Sequence, residues 1–377
     1  MKKTIIIDAS SVVGYVDGLS QYIVNILRFL PEESFDEFNY RLLVNKDHQR
    51  SDLDPILATG LFDVQEGKIP LIGPKRDLWF YKFLKKYNNS FDLMHVTSTQ
   101  YPLALKKGVG TIHDLILLHH YYKRSFFYNA APIYFRHVVR ACVKNARAVI
   151  AVSHATKNEI VKLAGADKNT AEKIHVIYEG WEHLKDYEEK KAFIDLKGYV
   201  FYLGSSRMHK NLARLVEAFA LSLEKIPRHI RLVISGEKQF IHHLNRDLKN
   251  EIEKLGDRIF FTGYLEPEEV AAYFKNADAF ILPSLMEGFG IPILESFYYN
   301  TPLLCSDISS LPEVAGDAAL YFNPFSINSI ADAIIKFYDD INLGRILSEK
   351  GQTQLQKFSW KTASIQTVEV YRKALIA

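Results

Sequence analysis

Two cations leave an apolar, strand-like run together: Tyr199–Leu203 leads into Gly204-Ser-Ser-Arg-Met-His-Lys-Asn-Leu212, which places Arg207 and Lys210 at a tight strand-to-helix turn. Cations at such a turn can straddle a diphosphate and neutralise one that departs. A second run, Ala279–Leu282, opens into Pro283-Ser-Leu-Met-Glu-Gly-Phe-Gly-Ile-Pro-Ile-Leu-Glu295. Gly288 and Gly290 let backbone approach a ligand with no Cβ in the way. Pro292 suits the first turn of a helix. A helix start behind glycines offers N–H groups and a positive dipole end to phosphate. Glu287 and Glu295 flank that cradle. An anion site lined by acids implies a ligand that is part phosphate and part polyol, as a nucleotide-sugar is.

The elements that position these residues follow from length and pattern. At 377 residues the chain exceeds one ordinary core, so two domains are expected. Hydrophobic content of 48% with 24% charged residues suits a water-soluble globular protein. No apolar run is long enough to span a bilayer. Met1-Lys-Lys-Thr-Ile-Ile-Ile-Asp8 meets an acid too early for a signal peptide and reads as a first strand. Cys142 and Cys305 are too few and too far apart for a disulfide framework, which points to a reducing cytoplasm.

Apolar strand-like runs alternate with amphipathic helical stretches, the signature of parallel α/β sheets. Strands are expected at Thr4–Asp8, Tyr40–Val44, Leu93–Val96, Val109–His113, Ala148–Ser153 and His175–Tyr178. They recur at Tyr199–Leu203, Arg231–Ser235, Ile259–Thr262, Ala279–Pro283, Pro302–Ser306 and Ala319–Phe322. Helices are expected at Ser20–Leu30, Asn129–Asn145, Ala155–Leu163, Leu212–Leu223, Pro267–Lys275 and Ile327–Asp339. The charged stretch 185–192 reads as a linker. It divides the chain into a domain over 1–185 and one over 186–358, and the helical pattern of 359–377 is expected to return to the first. Trp360, Ile365, Val368 and Tyr371 mark its apolar side. Two open sheets would bind ligand outside the carboxyl ends of their strands.

The net charge of +3 conceals an asymmetry. Residues 1–158 carry 21 Lys and Arg against 14 Asp and Glu, and the remainder 26 against 30. Each basic residue near an anionic membrane contributes about 1 kcal/mol of attraction. Trp79, Phe80, Phe83 and Leu84 alternate with Lys82, Lys85 and Lys86. Arg136, Arg140, Lys144 and Arg147 line one face of a helix whose other face holds Val138, Val139, Cys142 and Val143. Basic amphipathic helices of this kind can lie on anionic lipid. An ordinary core-facing helix with a solvated back is the competing reading.

Several motifs recur in a familiar order: Gly204-Ser-Ser-Arg-Met-His-Lys-Asn, Phe261-Thr-Gly-Tyr-Leu265, Glu287–Glu295, Asn300-Thr-Pro and Ser310-Leu-Pro-Glu-Val-Ala-Gly-Asp-Ala318. Through them the chain resembles the retaining GT-B glycosyltransferases of family four, in particular bacterial O-antigen-like mannosyl- or deoxysugar transferases. The resemblance implies an α/β fold of two Rossmann-like, doubly wound parallel-sheet domains with an interdomain cleft. It implies that Arg207 and Lys210 grip the donor diphosphate. Glu287 then holds the transferred sugar's hydroxyls, with backbone N–H groups of Gly288, Phe289, Gly290 and Ile291 around it, and Glu295 takes the ribose. His113, in Thr-Ile-His-Asp114, matches the first-domain histidine near the reacting carbon. Gly18 and Ser20 stand where a glycine-rich turn meets donor phosphate, Ser20 replacing a second glycine. Arg207 lies three residues before Lys210 rather than beside it, with His209 in the intervening place.

The implied reaction moves a hexose from a nucleotide diphosphate donor, GDP-mannose favoured, to a saccharide acceptor that is lipid-linked. It uses no cofactor and no metal; Asp52 and Asp54 read as solvated loop acids. The expected setting is cytoplasmic, peripheral on the inner face of the membrane, with no nucleic acid partner. A nucleotide-sugar epimerase of the same architecture and a non-catalytic nucleotide-sugar-binding subunit are the alternatives. A glycosidase pair at Glu287 and Glu295 leaves the two cations unexplained. A dinucleotide-dependent dehydrogenase lacks its Gly-x-Gly-x-x-Gly after the first strand.

Overall fold

The computed structural model describes residues 2–14, 17–46, 52–119, 126–165, 168–187, 198–236 and 246–376. Lys123, Arg124 and residues 188–192 of the expected linker lie outside them. The chain forms two units. One is Met1–Gly180 together with Ser359–Ala377, and the other is Trp181–Phe358.

The first unit holds seven strands: β1 Lys3–Asp8, β2 Phe38–Asn45, β3 Asp63–Gly67, β4 Leu93–Val96, β5 Gly108–Ile112, β6 Ala148–Ala151 and β7 Ile174–Val176. All pair in parallel, in the order β3-β2-β1-β4-β5-β6-β7. The strand Asp63–Gly67 was not expected from the sequence. Its residues, Asp-Val-Gln-Glu-Gly, are exposed or half-buried at the sheet edge and carry no apolar run. The central strands β4, β5 and β6 are buried throughout, which is why they read as short apolar segments.

The second unit holds β8 Tyr199–Tyr202, β9 Arg231–Ile234, β10 Ile259–Phe261, β11 Ala279–Leu282, β12 Leu303–Ser306 and β13 Ala319–Phe322. Its order is β10-β9-β8-β11-β12-β13, again wholly parallel. Both orders reverse beside the first strand of the unit, at β1/β4 and at β8/β11. Loops leaving the carboxyl ends of such a strand pair diverge and leave a crevice. Helices Leu212–Ser222 and Ile327–Asp339 pack on this sheet with Phe219, Leu215, Ile330 and Ile334 fully buried.

The division falls before the expected linker. Trp181 packs on Tyr298 at a centroid distance of 5.3 Å, and the Lys185 ammonium lies over the Trp181 ring. The start of that charged stretch is therefore built into the second unit rather than suspended between the two.

Helix Trp360–Ile376 lies on the first unit, against helix Gly18–Arg28 and strands β4 and β5. Trp360 is fully buried and meets Tyr22 edge-on at 6.0 Å. Tyr371 bonds His95 Nδ1 at 2.7 Å, Ser364 Oγ donates to the Ile26 carbonyl at 3.0 Å, and Arg372 pairs with Glu37. Ile365, expected on the buried side, is 41% exposed, whereas Ser364 and Thr367 are fully buried. Small hydroxyl residues face inward because they can return bonds to backbone carbonyls of this helix and its neighbour.

At the β1/β4 crevice the first unit is closed by its own charges. Arg76, 1% exposed, pairs with Asp8 at the end of β1, donates to Ser10 Oγ at 3.1 Å and lies over the Phe80 ring.

Truncating Trp360 to alanine should cost about 3–5 kcal/mol. Urea unfolding followed by hydrogen exchange should show that loss in residues 2–180 and leave protection of β8–β13 unchanged.

Candidate active site

The β8/β11 crevice gathers the residues of the second unit. After β8 the chain passes Gly204, whose N–H bonds Ser235 Oγ at 3.1 Å, and turns at Asn211 with a left-handed φ of 60°. Asparagine tolerates that conformation. Here its Nδ2 donates to the Pro324 carbonyl after β13 at 2.8 Å and to the Pro283 carbonyl at 3.0 Å, the latter tying this turn to the loop after β11. The Leu285 N–H to His209 carbonyl bond, 2.7 Å, joins the same two loops. Lys210 and Glu287, far apart in sequence, thereby meet.

Lys210 Nζ donates to Glu287 Oε1 at 2.7 Å, and Ser284 Oγ donates to the same oxygen at 2.6 Å. Both charged side chains are largely enclosed, 18% and 12% exposed. Burial pushes the Glu287 carboxyl up, but the Lys210 charge and the Lys210 and Ser284 hydrogen bonds outweigh it and hold Glu287 below the ordinary carboxylate range. Burial drives His209 down to about 4, so a neutral imidazole separates the two cations.

The backbone of 287–289 is fixed from the loop after β12. Ser309 Oγ donates to the Glu287 carbonyl at 2.7 Å and accepts its N–H at 3.2 Å. Ser310 Oγ donates to the carbonyls of Glu287 and Phe289 at 3.0 and 2.9 Å. Gly290 sits at φ 109°, and a Cβ there would meet Leu311 at 3.1 Å, so glycine is required. Helix Ile291–Tyr298 follows with Pro292 in its first turn and no side-chain cap. Glu295 lies one turn in. Its Oε2 is buried without a hydrogen-bond partner among the described residues. Burial lifts the Glu295 carboxyl to about 7, with Lys210 pulling the other way. Lys210 is thus the charge felt by both glutamates.

In the first unit His113 directly follows β5. Its Nε2 lies 2.8 Å from the Thr97 carbonyl, its Nδ1 3.6 Å from Glu179, and the Tyr22 ring meets it edge-on at 4.7 Å.

Residues 185–354 match the family of group 1 glycosyl transferases, and residues 16–183 match glycosyltransferase family 4. The chain is 30% identical over 266 residues to the O-antigen chain mannosyltransferase RfbU of Salmonella typhimurium, covering 70% of each. It is 26% identical over 312 residues to O-antigen chain mannosyltransferase B of Escherichia coli, covering 80% of this chain and 78% of that one. The chain belongs to the group 1, family 4 glycosyltransferases. Its fold is also that of HepE from Anabaena, solved with UDP and glucose, at a TM-score of 0.72 and 18% identity over 97% and 98% of the two chains. The architecture is therefore GT-B, two parallel-sheet α/β units, and the chain is an enzyme.

In this glycosyltransferase the second unit brings Lys210, Glu287, Gly290 and Glu295 to one crevice. Arg207 stands at the rim of the turn, exposed to solvent, and makes no ion pair among the described residues. The Phe289 side chain is buried against Phe358, so only its backbone can face a ligand, and Ile291 opens the helix half-buried. Ser20 has a structural role. Its N–H bonds Asp17 Oδ1 at 2.8 Å and its hydroxyl is engaged with the Asp17 backbone, a capping box for helix Gly18–Arg28. It holds the helix start, and Gly18 is the first residue of that helix. The apolar residues Phe80, Phe83, Leu84, Val138, Val139, Cys142 and Val143 pack in the core, while Lys82, Lys85, Lys86, Arg136, Arg140 and Lys144 are exposed. Sequence reading missed Ser284, Ser309, Ser310 and Glu179. The serines lie inside or beside quoted motifs, whereas nothing in the sequence marks Glu179.

Replacing Lys210 with methionine should cost about 2–4 kcal/mol, because Glu287 is left enclosed without its cation; adding Glu287→Gln should recover most of it. Glu295 has the opposite sign. Its folded value lies above the unfolded one, so its ionisation penalty is absent at low pH, grows as pH rises towards about 7 and is complete above it. Glu295→Gln should therefore stabilise the protein by about 1–2 kcal/mol at pH 8 and very little at pH 5, read from urea midpoints.

Proposed function

We propose that this glycosyltransferase moves mannose from GDP-mannose to a lipid-linked oligosaccharide in bacterial surface polysaccharide synthesis, with retention and without a metal. The observation that carries the reading is the Lys210–Glu287 pair set beside a glycine-led helix start and Glu295, whose buried Oε2 has no hydrogen-bond partner among the described residues. Lysine has three N–H donors and Glu287 takes one, which leaves two for phosphate oxygens. Glu287 and Glu295 accept from hydroxyls, so a ligand with phosphate between two polyols satisfies the whole set. Mannose is favoured because the curated relatives that share most of the chain are named O-antigen mannosyltransferases.

The acceptor hydroxyl oxygen bonds to the anomeric carbon as the bond from that carbon to the phosphate oxygen breaks. The hydroxyl proton passes to the leaving diphosphate. Negative charge grows on that diphosphate, so Arg207 and Lys210 stabilise the transition state more than the ground state. These cations supply the charge a divalent ion would otherwise bring.

The lipid-linked acceptor and membrane contact draw on the first unit. No helix among the described residues is long and apolar enough to cross a membrane. Leu71, Ile72, Leu78 and Tyr81 are exposed around helix Pro74–Tyr87, beside the exposed Lys75, Lys82 and Lys85. Apolar side chains framed by lysines suit an anionic bilayer surface at its inner face.

GDP, GDP-mannose, UDP-glucose and dTDP-sugars should be screened by thermal shift and by nucleotide release with saccharide acceptors. A GDP-selective shift is expected. Arg207→Ala should reduce kcat by about 100-fold, as the loss of one oxyanion donor does. No shift with any nucleotide diphosphate defeats the donor site. Sedimentation with anionic and neutral vesicles should show anionic-selective binding that Ile72→Asp abolishes.

A further inference from the structure

The His113 ring is held on three sides. Nε2 faces the Thr97 carbonyl at 2.8 Å; a carbonyl only accepts, so Nε2 carries a hydrogen. Nδ1 faces Glu179 Oε1 at 3.6 Å, from a residue just beyond β7. The Tyr22 ring closes a third side, and the Tyr22 hydroxyl is itself bonded to Thr111 at 3.1 Å. The side chains of His113 and Glu179 are 14% and 5% exposed.

A separation of 3.6 Å is too long for a hydrogen bond but short for two charges in a water-poor site. With Nε2 already a donor, a neutral ring would turn the Nδ1 lone pair towards an anionic carboxylate. A proton on Nδ1 converts that repulsion into attraction. Burial pushes the Glu179 carboxyl up and the His113 ring pulls it back down, so the carboxylate is ionised through its pairing with a charged ring. Asp114, the next residue, adds negative charge. His95, from β4, is driven by burial to about 3 and is neutral. Tyr22, from helix Gly18–Arg28, is pushed up by burial and remains a hydroxyl. Burial by itself depresses His113, but Glu179, Thr97 and Asp114 together raise it above the ordinary histidine value.

We propose that Glu179 is the positioning residue for His113, clamping the ring as an imidazolium whose two N–H groups both point into protein, so that His113 supplies fixed charge and shape and never acts as the base towards an acceptor hydroxyl. The catalytic consequence rests on the reading of His113 as a donor-side residue; the pairing itself does not. The two groups form a neutral unit, and removal of Glu179 leaves a ring that loses its proton and its orientation.

The test uses the full chain labelled with ¹⁵N-histidine. The His113 ring resonances are assigned by their loss in His113→Gln, and thermal melts confirm that each variant folds. At pH 7 both ring nitrogens of His113 should be protonated. Glu179→Gln should lower the titration midpoint by about one to three pH units, the usual effect of losing an adjacent opposite charge. Glu179→Asp should restore part of the shift. With GDP-mannose as donor, the alkaline limb of the pH–kcat profile should move down by the same amount in Glu179→Gln, with KM little changed. Glu179→Gln should add nothing in a His113→Gln background. A singly protonated ring at pH 7, a midpoint that Glu179→Gln leaves in place, or equal losses in the two backgrounds would overturn the proposal. Failure of the wild-type chain to turn over GDP-mannose counts against the proposed donor, and the ring titration still decides the pairing.

Discussion

A lysine felt by two carboxylates is the interaction on which the β8/β11 crevice rests. Taking Lys210 and Glu287 out of water costs several kcal/mol per ion, and the attraction between them offsets this only where the remaining lone pairs are satisfied. Ser284 meets that need on the carboxylate, while Ser309 and Ser310 fix the backbone beneath it. Glu295 receives no such help, which is why it rises to about 7 while Glu287 falls. Two glutamates, one in the loop before the helix and one a turn inside it, are thus kept in different electrostatic states by their environments. A ligand that brings phosphate to the lysine and hydroxyls to the carboxylates supplies what the crevice lacks.

The two sheets share a winding plan and use it differently. At β8/β11 the crevice is lined by ligand-competent groups. At β1/β4 the corresponding space is filled by the Arg76–Asp8 pair with Ser10 and Ser98, and His113 sits one strand further along, after β5. The same topology offers two equivalent sites; side chains decide which one remains open.

Much of this was legible in the residues. The central strands β8, β11 and β12 appear as apolar runs because they are buried on both faces, and the cradle is marked by its glycines, proline and paired acids. Strand Asp63–Gly67 was not legible, because an edge strand needs no apolar run and its pairing with β2 is a tertiary fact. The capping role of Ser20 was hidden for a related reason: a serine three residues after Asp17 suits a helix cap as readily as a phosphate, and the cap shows only in the bond geometry. Glu179 was invisible because an isolated acid after a short strand has no pattern; it acquires meaning when β5 and β7 place it against His113. In helix Trp360–Ile376 the apolar stripe pointed to the wrong member, Ile365, because polar residues with carbonyl partners can occupy the inner face.

The return of that helix has a consequence for biogenesis. Trp360 and Tyr371 complete the core around β4 and β5, yet a ribosome emits them only after the whole of the second unit. At about 5–20 residues per second, the first sheet waits on the order of ten seconds or more for its last layer, while Trp181–Phe358 is available to fold as an uninterrupted segment. The first unit is therefore incomplete for as long as the second is being made, even though its strands are made first.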